Sequence, residues 1–443
     1  MKQGIDILTE LPGPRCRAAL EEARLYEPAS MSEQAPVVWD QAEGCYVKDL
    51  DGNVFLDFTS GVLVANVGHS RPEIVEAIRV QAGKVINCYD FLSEPRLALS
   101  KRLVALAPTP LDRAFILTTG AEATEAAIKL ARKATGKYEI IAFWGAFHGR
   151  TMGALSLGGK RSGAGASGFG PFVPGIHHAP FPYCYRCPFG KTRPGCALEC
   201  LAFLEPFYDM VTEHKVAAVI VETYQGGAGS IIAPKEWWQG LQAWCRSHDI
   251  LLIIDEVQAS FGRTGKWFAF EHYGLEPDLV CLGKGLSSSL PVSALLGPSS
   301  LMDCLGPGTL SSTHGGNPLG DAAALANITV IEEENLCDRA ARLGDLALGR
   351  MKSWQERFSI VGEARGMGLA MALELVEDKV TKQPAPALVK QLIDLCYRKG
   401  LLLIAPIGTY GNCLRLSPPL VITEAELALG LDLIEAALEE LTS

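Results

Sequence analysis

Residues Leu251–Leu286, LLIIDEVQASFGRTGKWFAFEHYGLEPDLVCLGKGL, decide how this chain folds. The stretch opens on an apolar run, Leu251 to Ile254, short enough for a buried parallel strand. Asp255 and Glu256 follow at its C-terminal end, where open α/β sheets place their ligand crevices. A second apolar run, Leu279 to Leu282, ends in Gly283-Lys284-Gly285. Two strands thus bring a carboxylate and an amine toward one crevice. The pair reads either as a buried ion pair or as two ends of a cofactor site.

Outward from this stretch the pattern repeats. Ala114–Leu117 reads as a strand, followed by Thr118-Thr119-Gly120-Ala121 and an alanine-rich helix, Glu122 to Lys133. Glu139–Phe143 is the next strand and runs into Trp144-Gly-Ala-Phe-His-Gly-Arg150. Val216–Val221 is another, ending at Glu222, and Trp237–Ser247 is a helix. Alternating strands and helices predict an α/β fold with a mostly parallel sheet covered by helices. Residues 158–175, rich in Gly and Ser, are expected to form a mobile loop. Upstream, residues 1–35 lack periodicity and read as an arm. A small meander over 37–58 and a glycine-punctuated loop, Gly61 to His69, follow it. Downstream, one long helical stretch, Ala322–Trp354, precedes strands and helices of an α+β style. The expected division is 1–65 for the arm and part of a small domain, 66–330 for a large domain, and 331–443 for the C-terminal small domain.

Composition narrows the function classes. The 443 residues are 48% hydrophobic and 20% charged, ordinary for a globular enzyme. A net charge of -10 argues against a nucleic-acid binder. No apolar run approaches the ~18 residues of a membrane span, and the N-terminus has no apolar signal segment. Thirteen scattered cysteines fit reduced thiols and a cytoplasmic location better than a disulfide framework.

Particular residues carry the chemistry. Gly120 and Ala121 sit between strand and helix, where free amides and the macrodipole make an anion site; an ordinary N-capped helix is the plainer reading. Phe147, after a strand, either stacks on a flat ring or packs in the core. Lys284 between glycines suits a desolvated amine nucleophile, or else a lysine in a surface turn. Asp255 ends a buried strand, and a buried carboxylate needs a partner; a pyridinium nitrogen is one.

Taken in order, these motifs resemble the class III (ω-) aminotransferases of the fold-type I pyridoxal-phosphate enzymes. The likeness runs from Leu56-Asp-Phe-Thr-Ser-Gly61 to Leu414-Arg-Leu-Ser-Pro-Pro419. Its most specific part is Asp255-Glu-Val-Gln258, Gly262-Arg-Thr-Gly265, Pro277-Asp278 and Gly283-Lys284-Gly285. The resemblance implies a large domain plus a smaller α+β domain built from both termini, with pyridoxal 5'-phosphate as cofactor. It implies that Lys284 carries the cofactor as a Schiff base and moves protons. Asp255 then pairs with the ring nitrogen, Val257 and Phe147 cover opposite ring faces, and Gln258 reaches the phenolic oxygen. Gly120 and Ala121 bind the phosphate, and His148 acts as a hydrogen-bonding neighbour rather than a metal ligand. Thr313 reaches the phosphate of a neighbouring subunit, which implies a homodimer or a dimer of dimers. The substrates implied are an amine donor and a keto-acid acceptor.

Glu222 and Arg415 bear on substrate choice, with Val62 and Leu63 in the loop after Gly61. Arginine grips an α-carboxylate bidentately, and in the family it pairs with glutamate when that carboxylate is absent. A purely structural ion pair is the other reading. Thr223-Tyr224 after Glu222, Gly227-Ala228-Gly229, and Ser260-Phe261 depart from the family pattern beside the site. A racemase or epimerase, an aminomutase, or a dialkylglycine-type decarboxylase stays open on the same scaffold. Cys184-x-x-Cys187 and Cys196-x-x-x-Cys200 are either a tetrahedral zinc set or free thiols in an insert. The irregular second spacing favours the thiols, so no metal is expected.

Overall fold

The computed structural model describes residues 4–31, 34–160 and 167–443. At its centre lies a seven-stranded sheet, in the order Arg113–Leu117, Ser293–Gly297, Leu279–Leu282, Leu251–Asp255, Val216–Glu222, Glu139–Phe143, Ile176–Ala179. Only Ser293–Gly297 runs against the direction of the other six strands. The mostly parallel sheet read from the run lengths is therefore present.

Both faces are covered, which is why these strands are apolar throughout rather than alternating. Ile140, Ala142, Ile253, Leu279 and Cys281 pack on one side against Ala123, Ala127 and Leu130 of the helix Gly120–Thr135. Ile141, Phe143, Leu252, Ile254 and Val280 pack on the other, with Trp237 and Trp238 of the helix Lys235–Ser247. Truncating either tryptophan to alanine would cost about 3–5 kcal/mol. The helix Gly120–Thr135 is bounded by its own sequence. Thr119 and Glu122 form a capping box at its start, and Gly136, at φ 67°, takes the left-handed turn at its end.

The remaining strands form two smaller sheets. Trp39–Glu43, Tyr46–Asp49 and Val54–Asp57 form a meander, completed by Leu401–Leu402 parallel to Val54–Asp57. Segments from both ends of the chain thus share one sheet. Val361–Met367, Ala370–Asp378, the short Gln383–Pro384 and Cys413–Leu416 make the other, with Ala372 opposite Arg415. Arg263, fully buried, ties these parts together. Its guanidinium donates to Pro418 O at 2.6 Å, Asn66 Oδ1 at 2.7 Å and Leu369 O at 3.2 Å.

Three local expectations need correction. The arm contains a helix, Pro14–Tyr26, started by Asp51 from across the chain, which accepts from the amides of Arg15 and Cys16. The long helix is two, Pro318–Glu333 and Leu336–Arg357, broken where Asn335 adopts φ 49°. The loop after Thr59 winds a left-handed turn, with Ser60, Gly61, Val62 and Leu63 all at φ between 49° and 65°. Of the glycine- and serine-rich stretch 158–175, residues 161–166 lie outside the described residues.

Candidate active site

A cavity of about 590 Å³ opens where the central strands end. Strand register sets its floor. Glu222 pairs with Asp255 across the two central strands, and Asp255 with Cys281 on the next. Three residues past Cys281, Lys284 turns into the cavity with φ 43°. Gly120, Ala121, Phe147, His148, Glu222, Asp255, Val257, Gln258, Lys284 and Arg415 all line this one space, as does Val62.

Asp255 is held from two sides. His148 Nδ1 lies 2.7 Å from Oδ2, and the Val257 amide donates to Oδ1 at 3.0 Å. Burial alone would lower the His148 pKa. The hydrogen bond to Asp255 and the negative charges of Asp255 and Glu222 together outweigh it and leave the imidazole raised above its ordinary value. His148 is thus a neighbour that orients the carboxylate. No ion pair joins Lys284 to Asp255 among the described residues. Burial lowers the Lys284 pKa despite the attraction of Asp255, so the amine is more available as a nucleophile.

The helix start forms an anion cradle. Thr118 and Thr119 donate their amides to Glu122 Oε2, at 2.8 and 3.1 Å. The amides of Gly120 and Ala121 are left without an acceptor among the described residues. A Cβ at Gly120 would sit 2.7 Å from Val257 Cγ1, so only glycine lets Val257 lie this close to the cradle.

At the other end, Glu222 and Arg415 do not pair directly; both bind the Gly226 peptide. Glu222 accepts from the Phe147 amide at 2.9 Å and the Gly226 amide at 3.1 Å, and Arg415 Nη2 donates to Gly226 O at 2.6 Å. Burial raises Glu222 to about 7, with Asp255 adding to it. Burial also lowers Arg415. Four buried polar atoms on the cavity find no hydrogen-bond partner among the described residues: His148 Nε2, Tyr224 OH, Gln258 Oε1 and Arg415 Nε. Unpaired buried polar groups are costly, so their convergence marks a place shaped for something else.

Two expected residues lie elsewhere. Leu63 does not line the cavity. The left-handed turn that points Val62 into it directs Leu63 inward, where it is 1% exposed and packs with Tyr224, Ala259, Ala269 and Ala370. Thr313 is exposed, on the loop preceding the helix Pro318–Glu333. Tyr224, read from the sequence as lying beside the site, lines the cavity; Arg150 and Ile404–Ile407 line it too and were missed. Arg150 had a signal, a cation three residues after Phe147. The 404–407 segment had none, since only the tertiary fold brings it near.

Comparison with known proteins agrees with this geometry. Residues 28–438 match the family model for class-III aminotransferases. A 5-aminovalerate aminotransferase from Pseudomonas putida is 38% identical, over 94% of this chain and 96% of its own. A leucine/methionine racemase from Thermococcus litoralis is 36% identical, over 94% of each. Among solved structures, an amine transaminase from an uncultivated Pseudomonas species, in a PLP-bound form, superposes with a TM-score of 0.87. It is 32% identical, over 94% of this chain and 98% of its own. Free amides at a helix start, an amine of lowered pKa and a buried carboxylate are the donor set that pyridoxal phosphate requires. The chain therefore belongs to the class III aminotransferases, enzymes that work with pyridoxal 5'-phosphate.

Proposed function

We propose that this enzyme moves an amino group from an ω-amino acid or other amine to 2-oxoglutarate or pyruvate, in two half-reactions of a ping-pong scheme. The observation that carries the reading is Arg415. Its buried guanidinium faces the Lys284 cavity with Nε unpartnered. A carboxylate next to a keto carbon would complete it. Arg150, exposed on the same cavity, offers a second cation for the far carboxylate of a dicarboxylic acceptor.

Bound pyridoxal phosphate supplies an aldehyde for amines and a ring that accepts the electron pair left by a departing proton. The chain's residues do the rest. Gly120 and Ala121 amides would hold the phosphate, and Asp255, oriented by His148, would keep the ring nitrogen protonated. Val257 and Phe147 would cover the ring, and Gln258 would serve its phenolic oxygen. Lys284 Nζ would anchor the cofactor and then carry the proton from the substrate carbon to the carbon that had been the aldehyde, with the reverse transfer in the second half-reaction. Glu222 balances Arg415 when no carboxylate is bound, and Val62 borders the donor.

We also propose a homodimer in which Thr313 serves the neighbouring copy. The supporting surface is apolar: Ile86, Tyr89, Phe91 and Leu92 are all at least 50% exposed. This segment is tied to the Thr313 loop by the Ser311 hydroxyl on Asp90, 2.7 Å, and the Asn317 amide on Ile86 O, 2.9 Å. A cytoplasmic location is supported by thirteen free cysteines. Among the described residues no helix is long and apolar enough to cross a membrane. The division at 65 and 330 stands as our domain assignment, supported by the sheet that both chain ends share.

A donor panel with 2-oxoglutarate and pyruvate tests the function. Amino-acid product should form from amine donors and depend on the acceptor. The racemase relative motivates the second reading. Inversion of an amino acid with no acceptor present, and no transfer when one is added, would replace our reading with that one.

A further inference from the structure

The insert between the strands Ile176–Ala179 and Val216–Glu222 plays no part in the chemistry above. Its four cysteines, Cys184, Cys187, Cys196 and Cys200, all line one small cavity of about 20 Å³. All four are free thiols, and all but Cys184 are at least partly buried. They come from two places. Cys184 opens a tight turn, Cys184–Arg186, which Cys187 ends, and the Gly190 amide closes a second turn onto Cys187 O at 3.0 Å, with φ 65° at Gly190. Cys200 is the second residue of the short helix Glu199–Ala202, and Cys196 lies three residues before that helix.

We propose that these four thiols bind one zinc ion, which staples the insert and, through it, the sheet that carries Arg415. Four sulfur donors from two short loops are a structural zinc set. The cavity holds about one water-sized sphere, too little for an iron–sulfur cluster. No three of these sulfurs lie within 4.8 Å of one another. Tetrahedral ligation draws them to about 3.8 Å, a closure made by side-chain rotation and a small loop movement. Each thiol releases its proton to solvent as zinc enters. Lys191 and Arg193 line the same cavity and offset the charge of the resulting tetrathiolate.

The residues around this turn explain what the ion would hold. Tyr183 OH and Arg186 Nε both donate to Glu374, which Arg365 also pairs at 2.8 Å. Lys382 Nζ donates to Tyr185 O at 2.7 Å. Glu374 lies on the strand Ala370–Asp378, where Ala372 pairs with Arg415. Fixing the turn fixes the clamp on that strand.

Elemental analysis of the holoenzyme, purified under reducing conditions, should find one zinc per chain. X-ray absorption should show four sulfur neighbours at about 2.3 Å. A mercurial reagent should release the metal as these thiols react, and cobalt replacement should give the charge-transfer and visible bands of a tetrahedral tetrathiolate. The double variant C187S/C200S should lose the metal and melt at a lower temperature while keeping the cofactor's visible absorption. That absorption reports the active site separately. A holoenzyme that stays metal-free after exposure to zinc, or a metal shell of nitrogen and oxygen, would overturn the site. Metal retained by C187S/C200S would place it elsewhere, and an unchanged melting point after metal removal would overturn the staple. Should the variant not fold, the wild-type absorption spectrum and mercurial titration decide alone.

Discussion

The two ends of the cavity are built differently. At the cofactor end, Asp255 and Lys284 leave neighbouring parallel strands, and backbone register alone aligns them. The substrate end is assembled from Val62, Tyr224, the 404–407 segment and Arg415, which lie far apart in the chain. They meet through side-chain contacts such as those of Arg263 and the shared Gly226 peptide. A register-built site tolerates little change in chemistry. A site assembled by packing can be retuned residue by residue, and this fits a family whose members include both transaminases and a racemase.

Mutations should separate the two ends. Lys284→Ala should have the largest effect, lowering kcat by about 10³-fold or more with every donor and acceptor, because the proton-transfer base is gone. Single-turnover kinetics with preloaded cofactor check this. Asp255→Asn should cost about 10²- to 10³-fold, again whatever the substrate, since it removes a preorganised charge at the ring nitrogen. The cofactor's absorption spectrum should shift with it. If either loss depended strongly on the acceptor, the contrast between the ends would fail.

Substrate-end changes should instead discriminate. Arg415→Ala should raise KM for keto acids roughly 10- to 100-fold, the worth of a charged hydrogen-bond pair. Aldehyde acceptors without the carboxylate should be nearly unaffected. Equal loss with both would make Arg415 a structural residue.

The smallest effect is a pH dependence. With burial raising Glu222 to about 7, its carboxyl is neutral below that pH and ionised above it. Ionised Glu222 competes with the substrate carboxylate for Arg415. KM for 2-oxoglutarate should therefore rise a few-fold as pH increases through about 7, and Glu222→Gln should flatten the curve. A profile unchanged in that variant would assign the titration to another group.

The two ends also differed in how far they could be read beforehand. Leu251–Asp255 and Leu279–Leu282 announce themselves as short apolar runs, and both are buried strands. The Gly120 cradle was legible because strand, glycine and capping box are contiguous. Leu63 was misplaced because a left-handed turn reverses which neighbour faces inward, and periodicity carries no sign of it. The helix Pro14–Tyr26 was missed because Asp51, which starts it, belongs to another segment. Thr313 is exposed and does not line its own cavity, so its proposed role depends on a second copy.

Sequence by itself determined the central strands, the start of the helix Gly120–Thr135 and the placement of Asp255 and Lys284 at neighbouring strand ends, because each follows from local pattern and backbone register. Tertiary structure decided that Glu222 and Arg415 meet through Gly226 rather than each other. It also brought Arg150 and residues 404–407 to the cavity and gathered four cysteines around one small space. Those arrangements rest on side-chain packing between distant segments, and no local period encodes them.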